Sequence, residues 1–262
     1  MQAQTIDDVI LRLEAIIKDA EARDDRIGYF AALYNRVTIA VREGVRAGEF
    51  DDGPRMERLD VAFANRFLDA YDAWRAGQLP SRAWLKAFEV ASSSRPVVLQ
   101  HLLVGMNAHI ALDLGVAAAQ TCPGADLPAL KDDFGRINDV LAGLTPVVEA
   151  ELGEDSPEFA LLTHIMPARE QRIFGFGMDR ARELAWGFAC TLAPLPLHEQ
   201  PALMAHRDHE VSLVADVILG NGVLAHVLRH GESTDVAANI RALAAGEFTQ
   251  TVTAAHLAGA AS

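Results

Sequence analysis

Residues 95–119 read RPVVLQHLLVGMNAHIALDLGVAAA, apolar nearly all the way round and yet carrying Gln100, His101, Asn107, His109 and Asp113. A helix that is apolar on every side belongs in a core. Burying an unpaired imidazole, amide or carboxylate is costly, so these groups must bond to one another, hold a metal, or surround a polar cavity. The stretch therefore predicts a buried central helix that carries a site.

The flanking sequence supplies the helices to bury it. Breaks at Gly48 to Pro54, Gly77 to Pro80, Ser92 to Pro96, Cys122 to Pro128, Gly153 to Pro157, Pro167, Pro194 to Pro201 and Gly220 to Gly222 separate helical periodicities without sustained β-branched alternation. They predict an all-α, single-domain bundle of about eight or nine helices, near 5–22, 27–46, 54–76, 81–92, 95–119, 126–150, 169–192 and 198–219. The helical domain is expected over 1–230, with an Ala-rich tail over 231–262 that packs weakly and is partly mobile. No period of 20 to 50 residues marks a solenoid.

Composition narrows the partners. With 36 acidic against 23 basic residues the net charge is −13, and lysine occurs only at Lys18, Lys86 and Lys131. Neither a nucleic-acid surface nor an anionic-membrane surface is expected. The first twenty residues read as an amphipathic helix capped by Thr5 rather than as a signal peptide. Residues 97–119 have the length of a membrane span, but two His, an Asp, an Asn and a Gln make insertion expensive, so no integral membrane association is expected. Cys122 and Cys190 form neither a disulfide framework nor a thiolate metal knuckle, which suits the cytoplasm. Gly175 and Gly177 follow no strand, so no nucleotide cofactor is expected.

At ~100° per residue, His101, Gly105, His109 and Asp113 form a slanted row on one side of the central helix. Asp60 falls in the middle of the apolar stripe Met56, Phe63, Ala64, Phe67, Tyr71 and Trp74 of the 54–76 helix. Asp60, His101, His109 and Asp113 are thus the candidate catalytic residues, and the same four are the candidate ligands of a divalent zinc, iron or manganese ion. Asn65, Asn107 and Asn138 are candidate contacts to a bound ligand. His206, His209, His226 and His230 repeat at metal-like spacings but on more solvated faces.

Three readings of the row remain open. It is a metal centre that activates water for hydrolysis or hydration of a small molecule, with non-haem iron oxidation as the alternative. It is a metal-free cavity in which an Asp-oriented His is a general base. Or it is polar glue in a core, or the lining of a non-catalytic small-ligand site. H-x3-D is much less specific than H-E-x-x-H, which is absent, as is the E-x-x-H signature of di-iron bundles.

The segments IGYFAALYNRVT, RMERLDVAFANRFLDA, QHLLVGMNAHIALDLG and FGRINDVL together resemble a group of bacterial helical proteins classed as a domain of unknown function. The resemblance covers roughly residues 5 to 195. It implies membership and a helical fold, and it places Asp60, Asn65, His101, Asn107, His109, Asp113 and Asn138 in the stretches that carry it.

Overall fold

Apolar residues at helical spacing, interrupted by caps and glycines, set the element order in the computed structural model, which describes residues 2–137, 178–220 and 233–246. Helix α1 (Ile6–Arg23) opens on a reciprocal capping box: Thr5 Oγ1 accepts from Asp8 N, and the Asp8 carboxylate accepts from Thr5 N. Its buried stripe of Ile6, Val9, Ile10, Leu13, Ile16 and Ile17 packs on α2 (Ile27–Ala47). Helix α3 (Gly53–Arg75) is capped by Asp52. Its start is fixed by buried Asp133, which accepts from the backbone N–H groups of Asp51 and Asp52 and from Arg55 Nη2. Helix α4 (Arg82–Ala91) starts at the Ser81 cap.

The central helix is built in three parts. Helix α5 (Val98–Ala108) runs into a π-helical turn (His109–Leu114) and continues as α6 (Gly115–Thr121). Helices α2, α3, α4, α7 (Met178–Leu192) and α8 (Gln200–Leu219) pack around it. The stretch Val98–Thr121 is long and apolar enough to cross a membrane, and 72% of its most apolar window is buried by these neighbours. Two amides tie it to α8: Gln100 Nε2 donates to Ile218 O (3.0 Å) and Asn107 Nδ2 donates to Val211 O (2.9 Å).

The described residues form a helical fold with no strand among them, as the sequence predicts. Two elements differ in detail. The helix expected over 126–150 opens instead as a 3-10 helix, Gly124–Leu130 with Pro128 inside it, followed by helical residues 131–137; its residues 138–150, and residues 169–177 of the next expected helix, lie outside the described residues. Proline removes a backbone donor there, which favours the tighter turn. The tail expected to pack weakly contains α9 (Val236–Ala245), capped by Asp235. Val236, Ile240 and Leu243, spaced four and three apart, are buried against α1 and α2. Gly28 makes the approach possible, since a Cβ there would lie 2.5 Å from Ile240 Cδ1.

Candidate functional site

The π-helical turn is where the chemistry-bearing residues gather. A wider turn shifts side chains from their α-helical register, and such insertions recur at functional sites. Arg207 from α8 braces it, donating from Nε to Ala111 O at 2.9 Å. Its first residue, His109, and its fifth, Asp113, are 3% and 1% exposed.

Asp113 is held from three sides. Arg66 Nε of α3 donates to Oδ1 at 2.6 Å, and Trp84 Nε1 of α4 donates to Oδ2 at 2.7 Å. His109 Nδ1 lies 3.5 Å from Oδ2. A carboxylate whose counter-charge is the Arg66 guanidinium only accepts, so the imidazole proton belongs on Nδ1 and Nε2 carries a lone pair. Burial above all, with help from the Arg66 charge, lowers the His109 pKa against the opposing pull of Asp113. The ring is accordingly neutral at pH 7. It stacks flat on Phe63 (centroids 3.6 Å, planes 10° apart) and meets the edge of Tyr34 at 4.4 Å.

His109 lines a cavity of about 90 Å³ between α2, α3, the π-turn and α7. The lining is almost wholly apolar, with Phe30, Leu33, Val37, Met56, Phe63, Met106, Ile110 and Leu114 among its walls. Three residues of that wall carry a buried polar atom with no hydrogen-bond partner of good geometry among the described residues: Tyr34 Oη, Asp60 Oδ2 and His109 Nε2. Thr38 Oγ1, one turn from Tyr34, donates to the Tyr34 carbonyl, and its nearness to the phenol works against the rise in the Tyr34 pKa. Burial, and secondarily the nearby Glu57 charge, raises the Asp60 pKa to about 7. Burial and the Asp60 charge push the Tyr34 phenol well above its usual range.

The row read from the sequence is therefore split. His101 does not reach Asp60 or His109. It packs against the Tyr29 ring at 5.7 Å on the far side of Phe30, bonds to the Pro96 backbone, and has its pKa lowered to about 4 by burial and by Arg26. Gly105 is the cause. A Cβ at residue 105 would lie 2.7 Å from Phe30 Cδ2, so the missing side chain admits the Phe30 ring between the two histidines.

The expected convergence of Asp60, His101, His109 and Asp113 on one ion is not met. Among the described residues no group of three or more His, Cys, Asp or Glu side chains is gathered to hold a metal. Asp113 is occupied by a guanidinium and an indole, which a cation would have to displace. As arranged, the donor set does not fit a metal centre. Asn65 exchanges two hydrogen bonds of 2.9 Å with the Ala3 backbone and pins the N-terminal segment, while Asn107 serves α8. Asn138 lies outside the described residues, as do His226 and His230. His206 is exposed beside Glu210, and His209 lies 3.2 Å from Arg82 on the surface.

The residues that sequence reasoning missed are Arg66, Trp84 and Tyr34. Tyr34 lies in the apolar stripe Phe30, Leu33, Tyr34, Val37 and Val41 of the 27–46 helix, and its hydroxyl alone sets it apart. Arg66 lies beside Asn65 on α3, partly exposed, and nothing in its spacing says that its guanidinium turns inward.

Fold and site together define an all-helical protein built on one buried helix, whose π-turn places His109, backed by Asp113, at the wall of an apolar cavity. The chain belongs to a family of unknown function, DUF5995, whose family model matches residues 6–221. Comparison with curated proteins and with solved structures gave no match.

Proposed function

We propose that this protein binds a small, largely apolar molecule in the cavity between α2, α3 and the π-turn, and acts on its polar end by proton transfer. His109 is the general base, and Asp113 holds its tautomer. Asp60 supplies or accepts the second proton. The observation that carries the reading is that Tyr34, Asp60 and His109 line one apolar cavity and that each has a buried polar atom, Oη, Oδ2 and Nε2, without a hydrogen-bond partner of good geometry among the described residues. Buried polar groups are nearly always bonded, and each exception calls for a reason. A ligand that carries the missing partners is that reason. A neutral imidazole at the wall of a hydrophobic space is a competent base, because the base needs no desolvation when the ligand arrives.

The cavity has room for roughly six waters at ~15 Å³ each, the scale of a small organic molecule. The test is base-promoted ring opening of 1,2-benzisoxazole, in which removal of the ring C–H proton breaks the N–O bond and releases a coloured cyanophenolate. Wild type is expected to exceed the buffer rate, and His109→Gln to lose most of the excess. Equal rates for wild type, His109→Gln and buffer would contradict the reading.

A further inference from the structure

The polar trio has a definite donor and acceptor balance, and that balance selects a ligand. His109 Nε2 only accepts, Asp60 Oδ2 accepts as a carboxylate, and Tyr34 Oη both donates and accepts. The head group that completes them needs several donors and no lone pairs pointed at the carboxylate.

Charge points the same way. Asp60 lacks an ion-pair partner among the described residues. Among the described residues the charged and titratable groups around it are Glu57 on its own helix, Tyr34 from α2, His109 from the π-turn and Arg182 from α7. Glu57 adds negative charge. The Arg182 guanidinium is turned to the Phe134 carbonyl at 3.0 Å and lies over the Phe134 ring. The rings of Phe30, Tyr34 and Phe63 present aromatic surface around the same space, and such faces attract a cation.

We propose that the cavity takes a hydrophobic amine, its ammonium group seated among Asp60, Tyr34 and His109 and its hydrocarbon part along Leu33, Met56 and Ile110. The ammonium brings three donors for the three acceptors and the counter-charge that Asp60 lacks. A carboxylate head would meet Asp60 and the His109 lone pair and be repelled. A hydroxyl head offers one donor and satisfies one acceptor. This inference rests on the cavity being a ligand site, as proposed above.

The experiment compares hexylamine, hexanol and hexanoate, three molecules of one chain length, by calorimetric titration of the full chain at pH 8, in wild type and in Asp60→Asn. Hexylamine is expected to bind at least ~10-fold tighter than hexanol, as a charge-assisted bond to a buried carboxylate requires, with hexanoate weakest. In Asp60→Asn that preference is expected to vanish while hexanol binding persists. The wild-type ranking stands as a test even if the variant folds poorly. Hexanol or hexanoate binding as tightly as hexylamine overturns the amine inference and leaves the cavity reading standing, as does a preference unchanged in Asp60→Asn. Binding of none of the three overturns both.

Discussion

Replacing Asp60 by Asn removes a buried carboxyl group with almost no change of shape, and the effect on stability follows from its position. In the folded protein Asp60 titrates at about 7, against 3.8 for an ordinary carboxyl, because the cavity wall offers it no partner and little water. Between those values the folded chain holds a proton that the unfolded chain has released. Folding therefore weakens as pH rises through the window, and the loss is complete just above 7. The stabilisation is fully present below 3.8. The gap of about three units corresponds to ~4 kcal/mol at 1.36 kcal/mol per unit, of which roughly 3 kcal/mol falls between pH 5 and pH 8. That is a large part of the 5–15 kcal/mol typical of a domain. Asparagine does not titrate. Urea denaturation of both proteins at pH 5, 6, 7 and 8 should give a difference curve in which Asp60→Asn gains on wild type by roughly 3 kcal/mol, levelling off above pH 7. A flat difference curve would mean that Asp60 finds a partner or water in solution, and the unpartnered carboxyl would then no longer support a ligand.

Other predictions follow from the neighbouring groups. Asp113→Leu strands the Trp84 N–H and the Arg66 guanidinium and is expected to cost ~3 to 5 kcal/mol, whereas His109→Leu gives up one long hydrogen bond and an unpartnered nitrogen and should stay within ~1 kcal/mol of wild type. If the two residues formed a closed structural pair, the double variant would recover the loss; denaturation midpoints should show no such recovery. His101 gives a slope opposite to that of Asp60. With a folded pKa of about 4 against 6.5, it stays neutral while the unfolded chain takes up a proton, so it removes ~3 kcal/mol of stability as pH falls from 6.5 to 4. The wild-type minus His101→Gln difference across that range measures it, and a flat difference would refute the buried neutral ring.

The central helix, the inward Asp60 and the Asp113–His109 pairing were legible because apolar periodicity reports burial, and a polar residue inside a stripe stands out against it. The spacing that put His101 in the same row was misleading for a local reason. It treated Gly105 as empty space, whereas the Phe30 ring fills it and parts the two histidines. The roles of Asn65 and Asn107 escaped because their partners are backbone groups of distant segments, Ala3 and Val211, whose approach depends on tertiary packing. Arg66 was out of reach for the same reason: nothing local in its sequence tells whether a partly exposed guanidinium points to water or to a buried carboxylate 47 residues away. The docking of α9 was concealed by its alanines, which dilute a stripe of three larger residues.

The central claim is that His109 presents an unprotonated Nε2 to a ligand cavity, and nitrogen-15 spectra of the imidazole rings test it most directly. At pH 7 the account predicts a neutral His109 with its proton on Nδ1 and an acceptor-type Nε2 resonance, which moves when hexylamine is added while His101 stays in place. A protonated ring, a proton on Nε2, or a His109 resonance indifferent to saturating ligand would contradict it.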